Sequence, residues 1–259
     1  MTDIENAEFL LDRHGPVMII RLNRPQARNA LTRTMMQGIG AAVIAAETDP
    51  SVRAVLLTGT GDRAFGSGMD LRAFAGGTDF GGGQETDAYG RLAKGQTSIP
   101  VIGAANGTAI GGGLELLLGS DVIVASAAAK FGFPEAKRGL FAAGGGTSIG
   151  TRIPLGIALE LLLTGEFIDA DRAYQIGLVN AVAAPDQVFD TALALAEKIA
   201  ANAPLGLAAT KELTRLAVTD SDLAEQRLSK WQSIVFSSAD AKEGAMAFVE
   251  KRSPNWQGR

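Results

Sequence analysis

The longest apolar stretch in the chain, Val101 to Leu118, is interrupted by three consecutive glycines and one carboxylate: Gly111-Gly112-Gly113-Leu114-Glu115-Leu116-Leu117-Leu118. A membrane span needs about 18 or more apolar residues with few or no charges, so this segment does not qualify. It has to be placed inside a folded domain instead. The glycines let the backbone come close to a neighbour and leave free N–H groups at a helix start. Ionised glutamate is rarely buried without a partner or a shifted pKa. Glu115 is therefore either a functional carboxylate in apolar company, one turn from exposed amide donors, or a surface residue on an amphipathic helix. The segment alone leaves both open.

A second carboxylate of this kind follows in Lys130-Phe131-Gly132-Phe133-Pro134-Glu135, where proline fixes the backbone just before it. The run from Gly139 to Thr147 then contains Gly144-Gly145-Gly146, a second glycine cluster able to line a pocket. Two carboxyls facing one cavity are a recurrent way to hold a water and move protons.

Other chemistries are thinly represented. The chain has no cysteine, which removes disulfides, thiolate nucleophiles and cysteine-ligated metals. Its single histidine, His14, lies in Asp12-Arg13-His14-Gly15-Pro16, a turn-forming run between apolar strands, and is expected to be a surface turn residue. Catalysis would then rest on carboxylates, backbone dipoles and hydroxyls. Lys and Arg number 24 against 28 Asp and Glu, so no basic footprint marks a nucleic-acid partner. The start, Met1 to Asn6, carries no basic segment followed by an apolar core, so no signal peptide is expected. With no membrane span either, a cytoplasmic location is the expectation.

Phe9-Leu10-Leu11 and Val17 to Ile20 predict a hairpin around the His14-Gly15 turn. Met35, Met36, Ile39, Val43 and Ala46 recur at helical spacing, with Thr32 as N-cap and Asp49-Pro50 as stop. Ala54 to Leu57 reads as a buried strand, and Val101-Ile102 and Val122 to Val124 as strands bracketing the Glu115 helix. Residues 76–83 are glycine-dense and expected to be mobile. From Asp186 onward the chain reads as helices only, with Pro204 at one helix start and Asp220 capping another. Strand–helix alternation predicts an α/β fold. Gly59-Thr60-Gly61-Asp62-Arg63-Ala64 fits a dinucleotide-binding pattern, but Phe65-Gly66-Ser67-Gly68 is a poor helix start, so no nicotinamide or flavin site is expected there.

Several blocks occur together in one order. Ile99 to Glu115, containing Asn106-Gly107-Thr108-Ala109-Ile110-Gly111-Gly112-Gly113, resembles the central signature of the crotonase superfamily, the enoyl-CoA hydratase/isomerase family. Asn23-Arg24-Pro25-Gln26-Ala27-Arg28-Asn29-Ala30-Leu31 resembles its N-terminal motif, and Ala64-Phe65-Gly66-Ser67-Gly68-Met69-Asp70-Leu71 its first acyl-CoA loop. Leu163-Thr164-Gly165 and Ile176 to Asn180 match later landmarks.

The resemblance implies a spiral of ββα units with two roughly perpendicular sheets. It implies a core over residues 1–195 carrying the acyl-CoA site and a helical subdomain over 196–259 that packs in a homo-trimer or a hexamer of two trimers. The activity implied is reversible hydration of a 2-enoyl-CoA thioester. The alternatives are a double-bond isomerase, another acyl-CoA lyase, or a non-catalytic acyl-CoA-binding protein. Glu115 would activate water and Glu135 would protonate the α carbon. The backbone N–H groups of Ser67 and Gly112 would form the oxyanion hole, and Arg28, Ala64, Ser67, Gly68, Met69, Asp70, Leu71 and Gly112 would contact the substrate. No metal or separate cofactor is implied, since coenzyme A enters as part of the substrate. Two departures stand out. Ser67 replaces a common alanine, and Thr147 to Arg152 differs from the usual arginine- and leucine-rich continuation, which bears on acyl-pocket shape.

Overall fold

The computed structural model describes residues 7–70 and 82–259. Strands β1 (Phe9–His14) and β2 (Val17–Leu22) form the expected hairpin, with His14 opposite Val17. Gly15, at φ 55°, takes the left-handed first position of the two-residue turn, and Pro16 follows. Helix α1 (Arg33–Thr48) begins where the Thr32 hydroxyl accepts from the Met35 amide at 3.1 Å, and ends at Asp49. Met35, Ile39, Val43 and Ala46 form its buried stripe.

The chain then runs one route three times. β3 (Ala54–Gly59), β5 (Val101–Ala105) and β7 (Val122–Ser126) belong to a six-stranded sheet of order β1-β2-β3-β5-β7-β10. Each leads shortly into a three-residue strand of a second sheet: β4 (Ala64–Gly66), β6 (Thr108–Ile110) and β8 (Lys130–Gly132), in the order β4-β6-β8-β9. A helix closes each unit: α2 (Gln84–Ala93), α3 (Gly112–Leu118) and, after two 3-10 turns, α4 (Leu155–Thr164). This is the repeated ββα spiral expected from the motifs. β9 (Phe167–Asp169), α5 (Ala170–Gln175) and β10 (Ala181–Ala183) complete the sheets. Residues 76–83 lie outside the described residues except for Gly82 and Gly83.

β2, β3, β5, β7 and β10 are parallel, and β3 is buried at all six positions, as a sheet covered on both faces requires. Ile20, Leu22, Val55, Leu57 and Val101 face the main core, which includes residues of α1, α2 and α3. The alternate residues Val17, Ile19, Ala54, Leu56, Ile102 and Val124 pack under α6 (Val188–Ala200). That helix meets them through Val188, Ala192, Ala196 and Ala200, small residues at every fourth position that let it lie close.

The remainder is helical, as expected: α7 (Pro204–Thr219), α8 (Ser221–Phe236) and α9 (Ala239–Glu250). Pro204 opens α7, and Asp220 caps α8 by accepting from the Leu223 amide at 3.0 Å. Asp121 fastens α7 to the core. It accepts from Arg215 and Lys211, each at 2.8 Å, and from the Val101 amide at 2.8 Å. Burial lowers the pKa of Lys211, which is only 7% exposed, while Asp121 pulls it back up. Gly59 to Ala64 leads into β4 and not into a helix, so this glycine pattern lacks the helix N-terminus that would seat a pyrophosphate.

Candidate active site

Three sequence-distant segments meet because β4, β6 and β8 are adjacent and parallel. Their carboxyl ends emerge on one edge of the small sheet, the place where ligand sites gather in parallel sheets. β4 delivers Ser67 to Asp70, β6 delivers Gly111 to Glu115, and β8 delivers Pro134 and Glu135.

The glycines at the start of α3 are demanded by contact. A Cβ on Gly113 would lie 2.2 Å from the Gly66 carbonyl oxygen, so the first turn of α3 sits directly on the end of β4. Gly111 has φ 53°, and a Cβ there would lie 2.7 Å from Glu135 Oε1. A Cβ on Gly112 would lie 3.6 Å from Glu115 Oε2. The two carboxyls thus approach adjacent residues of one backbone segment. The Gly112 N–H, at the first position of α3, has no intrahelical acceptor. A Cβ on Gly68 would come within 3.2 Å of that nitrogen, so the loop after β4 faces it.

Glu115 is 8% exposed, which settles the alternative left open by the sequence: it is buried and not on a surface. Its Oε1 accepts from the amides of Gly144 at 2.7 Å and Gly146 at 3.0 Å. Its Oε2 has no donor among the described residues. Burial raises its pKa, and the two amides oppose that rise. Glu135 stands in the first turn of a 3-10 segment, Pro134–Arg138, and its Oε2 is buried with no hydrogen-bond partner among the described residues. Burial raises its pKa above the usual carboxyl range. Its own backbone amide opposes the rise, the charge of Glu115 adds to it, and Arg138 pulls it back. Burial shifts both carboxyls toward the protonated form, and they differ in hydrogen bonding: Glu115 has one oxygen anchored by two amides and the other free, while Glu135 Oε2 has no partner among the described residues. Carboxyls in unequal surroundings can divide base and acid roles.

The amide of Ser67 differs from expectation. It donates to the Arg28 carbonyl at 3.1 Å, so it is already engaged and could serve an oxyanion only by sharing or releasing that acceptor. Arg28 and Asn29 hold left-handed backbone angles, φ 52° and 54°. Asn29, fully buried, locks them: it accepts from the Arg24 amide at 2.9 Å and donates to the carbonyls of Ala64 at 2.8 Å and Thr60 at 3.1 Å. The Ser67 hydroxyl turns to the Ala27 carbonyl at 3.4 Å.

Of the remaining substrate-contact candidates, Ala64 is buried in β4, and Gly68 has φ 90°. Met69 is 40% exposed and bridges to Leu31, while Asp70 accepts from Arg24 at 3.2 Å. The Arg28 side chain is exposed and has no ion-pair partner among the described residues. Leu71 lies outside the described residues. The roles of Asn29 and of the Gly144 and Gly146 amides were not read from the sequence. The glycine cluster signalled a pocket wall, yet nothing in it specified a carboxylate clamp. Among the described residues no group of three or more His, Cys, Asp or Glu could hold a metal ion.

The enoyl-CoA hydratase/isomerase family model matches residues 12–259. Carnitinyl-CoA dehydratase of Proteus mirabilis is 39% identical over 259 residues, covering 96% of this chain and 98% of that protein. Enoyl-CoA hydratase EchA19 of Mycobacterium tuberculosis is 39% identical over 268 residues and is matched along 100% of both chains. The crystal structure of an enoyl-CoA hydratase from Mycobacterium tuberculosis superposes with a TM-score of 0.88 at 41% identity, covering 97% of this chain and 99% of that one.

Proposed function

The chain belongs to the enoyl-CoA hydratase/isomerase family, and from that premise we propose that it adds water reversibly across the double bond of a 2-enoyl-CoA thioester. The observation that carries the proposal is the pair of unequal carboxyls, Glu115 with a free Oε2 and Glu135 with a buried unpartnered Oε2, beside the open amide of Gly112.

Glu115 Oε2 holds a water and takes one of its protons as the oxygen attacks the β carbon. Charge then builds on the thioester oxygen as an enolate. The Gly112 N–H meets it at the positive end of α3, and the Ser67 N–H joins when it shares the Arg28 carbonyl. Each well-aimed donor is worth on the order of 3 kcal/mol in the transition state. Glu135, whose environment favours the protonated form, passes its proton to the α carbon. Elimination runs the same steps backward, which suits relatives named as hydratases and dehydratases alike. We assign the exposed guanidinium of Arg28 to the coenzyme A phosphates, which a guanidinium can bind in bidentate fashion. No metal and no cofactor beyond the substrate's own coenzyme A takes part.

Supplying 2-enoyl-CoA and 3-enoyl-CoA side by side tests the assignment. Hydration of the 2-enoyl ester is expected. Conversion of the 3-enoyl ester to its conjugated isomer, with no hydrated product from either, would replace hydratase by isomerase.

We also propose that three copies assemble. Leu155, Leu159 and Leu163 form an exposed row on α4, and Phe236, Phe248 and Val249 are between 79% and 86% exposed on α8 and α9. Apolar surface on that scale marks an interface, and a closed cyclic arrangement covers it in every subunit.

A further inference from the structure

Tyr89 belongs to none of the motifs above. It lies on α2, is 8% exposed, and its hydroxyl has no hydrogen-bond partner among the described residues. The ring is packed in the core, while the hydroxyl is not among the fully buried polar atoms and so remains open to a small molecule.

Its neighbourhood follows from helix register. A Cβ on Gly119, just past α3, would lie 1.8 Å from the Leu92 carbonyl oxygen and 3.0 Å from Ala93 Cα, so the end of α2 packs on the end of α3. Ala93 is one helical turn past Tyr89, and Gly119 is one turn past Glu115. The Ala93 carbonyl also approaches Gly145, at 3.4 Å from a Cβ there, in the loop whose flanking amides clamp Glu115. The charge of Glu115 acts on the Tyr89 phenol, raising its pKa beyond the rise that burial causes. The phenol is therefore harder to ionise than an ordinary tyrosine. The two helices pack end against end, with Tyr89 and Glu115 each one turn back from that contact and each carrying an oxygen with no hydrogen-bond partner among the described residues.

We propose that Tyr89 is a further catalytic residue that holds the reacting water together with Glu115. The water gives one proton to Glu115 Oε2, and its second hydrogen is accepted by Tyr89 Oη. One lone pair of the water oxygen then points at the β carbon. In the reverse direction the departing hydroxyl keeps the same contact while Glu115 returns its proton. Tyr89 neither gains nor loses a proton at any step. This rests on the hydratase function proposed above.

The test compares wild type, Tyr89→Phe and Glu115→Gln on the best 2-enoyl-CoA, with the dissociation constant of a saturated acyl-CoA and the melting temperature measured alongside. Phenylalanine keeps the ring packing and removes only the hydroxyl. The expected result for Tyr89→Phe is a fall in kcat of about tenfold, the size of one hydrogen bond, with KM, ester binding and melting temperature unchanged. A Tyr89→Phe enzyme with wild-type kcat, beside an inactive Glu115→Gln, overturns the role of Tyr89 alone. A wild-type enzyme that binds the ester and hydrates no 2-enoyl-CoA overturns the hydratase function, and the water site with it.

Discussion

Gly113→Ala is the smallest change that separates the two halves of the site. The added methyl would lie 2.2 Å from the Gly66 carbonyl oxygen and 2.4 Å from its carbon, against an ordinary contact of 3.4 Å or more. Both offending atoms are backbone in a strand paired to β6, so neither can swing aside. Helix α3 must therefore retreat by about 1 Å, carrying the Gly112 amide and Glu115 with it. Overpacking of this kind costs about 1–3 kcal/mol, which at this chain length lowers Tm by roughly 2–4 °C per kcal/mol. A 1 Å misplacement of reacting groups costs about a hundredfold in rate. Thermal melting and steady-state hydration of 2-enoyl-CoA read both effects. Gly206→Ala is the control: no described atom lies within 4 Å of its Cβ, and it stands in the first turn of α7, so stability should hold or rise slightly. A Gly113→Ala protein with wild-type melting temperature and rate would refute the packing of α3 on β4.

Glu135→Gln should lose activity yet melt higher at neutral pH. The folded carboxyl has a raised pKa, so the native state holds a proton that the unfolded chain has released; wild-type stability falls as pH rises from the unfolded value through the folded one. Glutamine never ionises, so its advantage should be full above that window and vanish near pH 4; an advantage that grows in acid would contradict the burial argument. Because the described residues offer no metal-binding group, dialysis against a chelator should leave turnover intact, and loss reversed by a divalent cation would show a metal requirement. Leu163→Asp, at a position 74% exposed on α4, should convert a trimer to monomer in light scattering; an unchanged trimer mass would place the interface elsewhere.

Long, regular elements were legible in the sequence. The Thr32 cap, the α1 stripe and the helices from Val188 onward follow from periodicity and capping alone. The second sheet was not, since β4, β6, β8 and β9 have three residues each, too few for a period to register. Its existence came only from the family resemblance, although it is what brings Ser67, Gly112 and Glu135 to one edge. The two glutamates stood out because carboxylates in apolar runs are costly. The clamp from Gly144 and Gly146 was hidden because backbone donors leave no trace in side-chain identity. Likewise, the engagement of the Ser67 amide depends on the left-handed angles of Arg28 and Asn29, which non-glycine residues rarely adopt and sequence rarely announces. Tyr89 escaped notice because α2 is short and mostly polar, and a single hydroxyl carries no pattern.

The most direct test of the account is the hydration rate of Glu115→Gln, measured with the affinity for a saturated acyl-CoA. Glutamine preserves the shape of the buried side chain and can still accept the Gly144 and Gly146 amides, but it cannot take a proton from water. The rate should drop by about a hundredfold or more while ester affinity stays near the wild-type value. A variant that hydrates 2-enoyl-CoA at close to the wild-type rate would show that the buried carboxylate of α3 is not the base, and the mechanism built on it would fall.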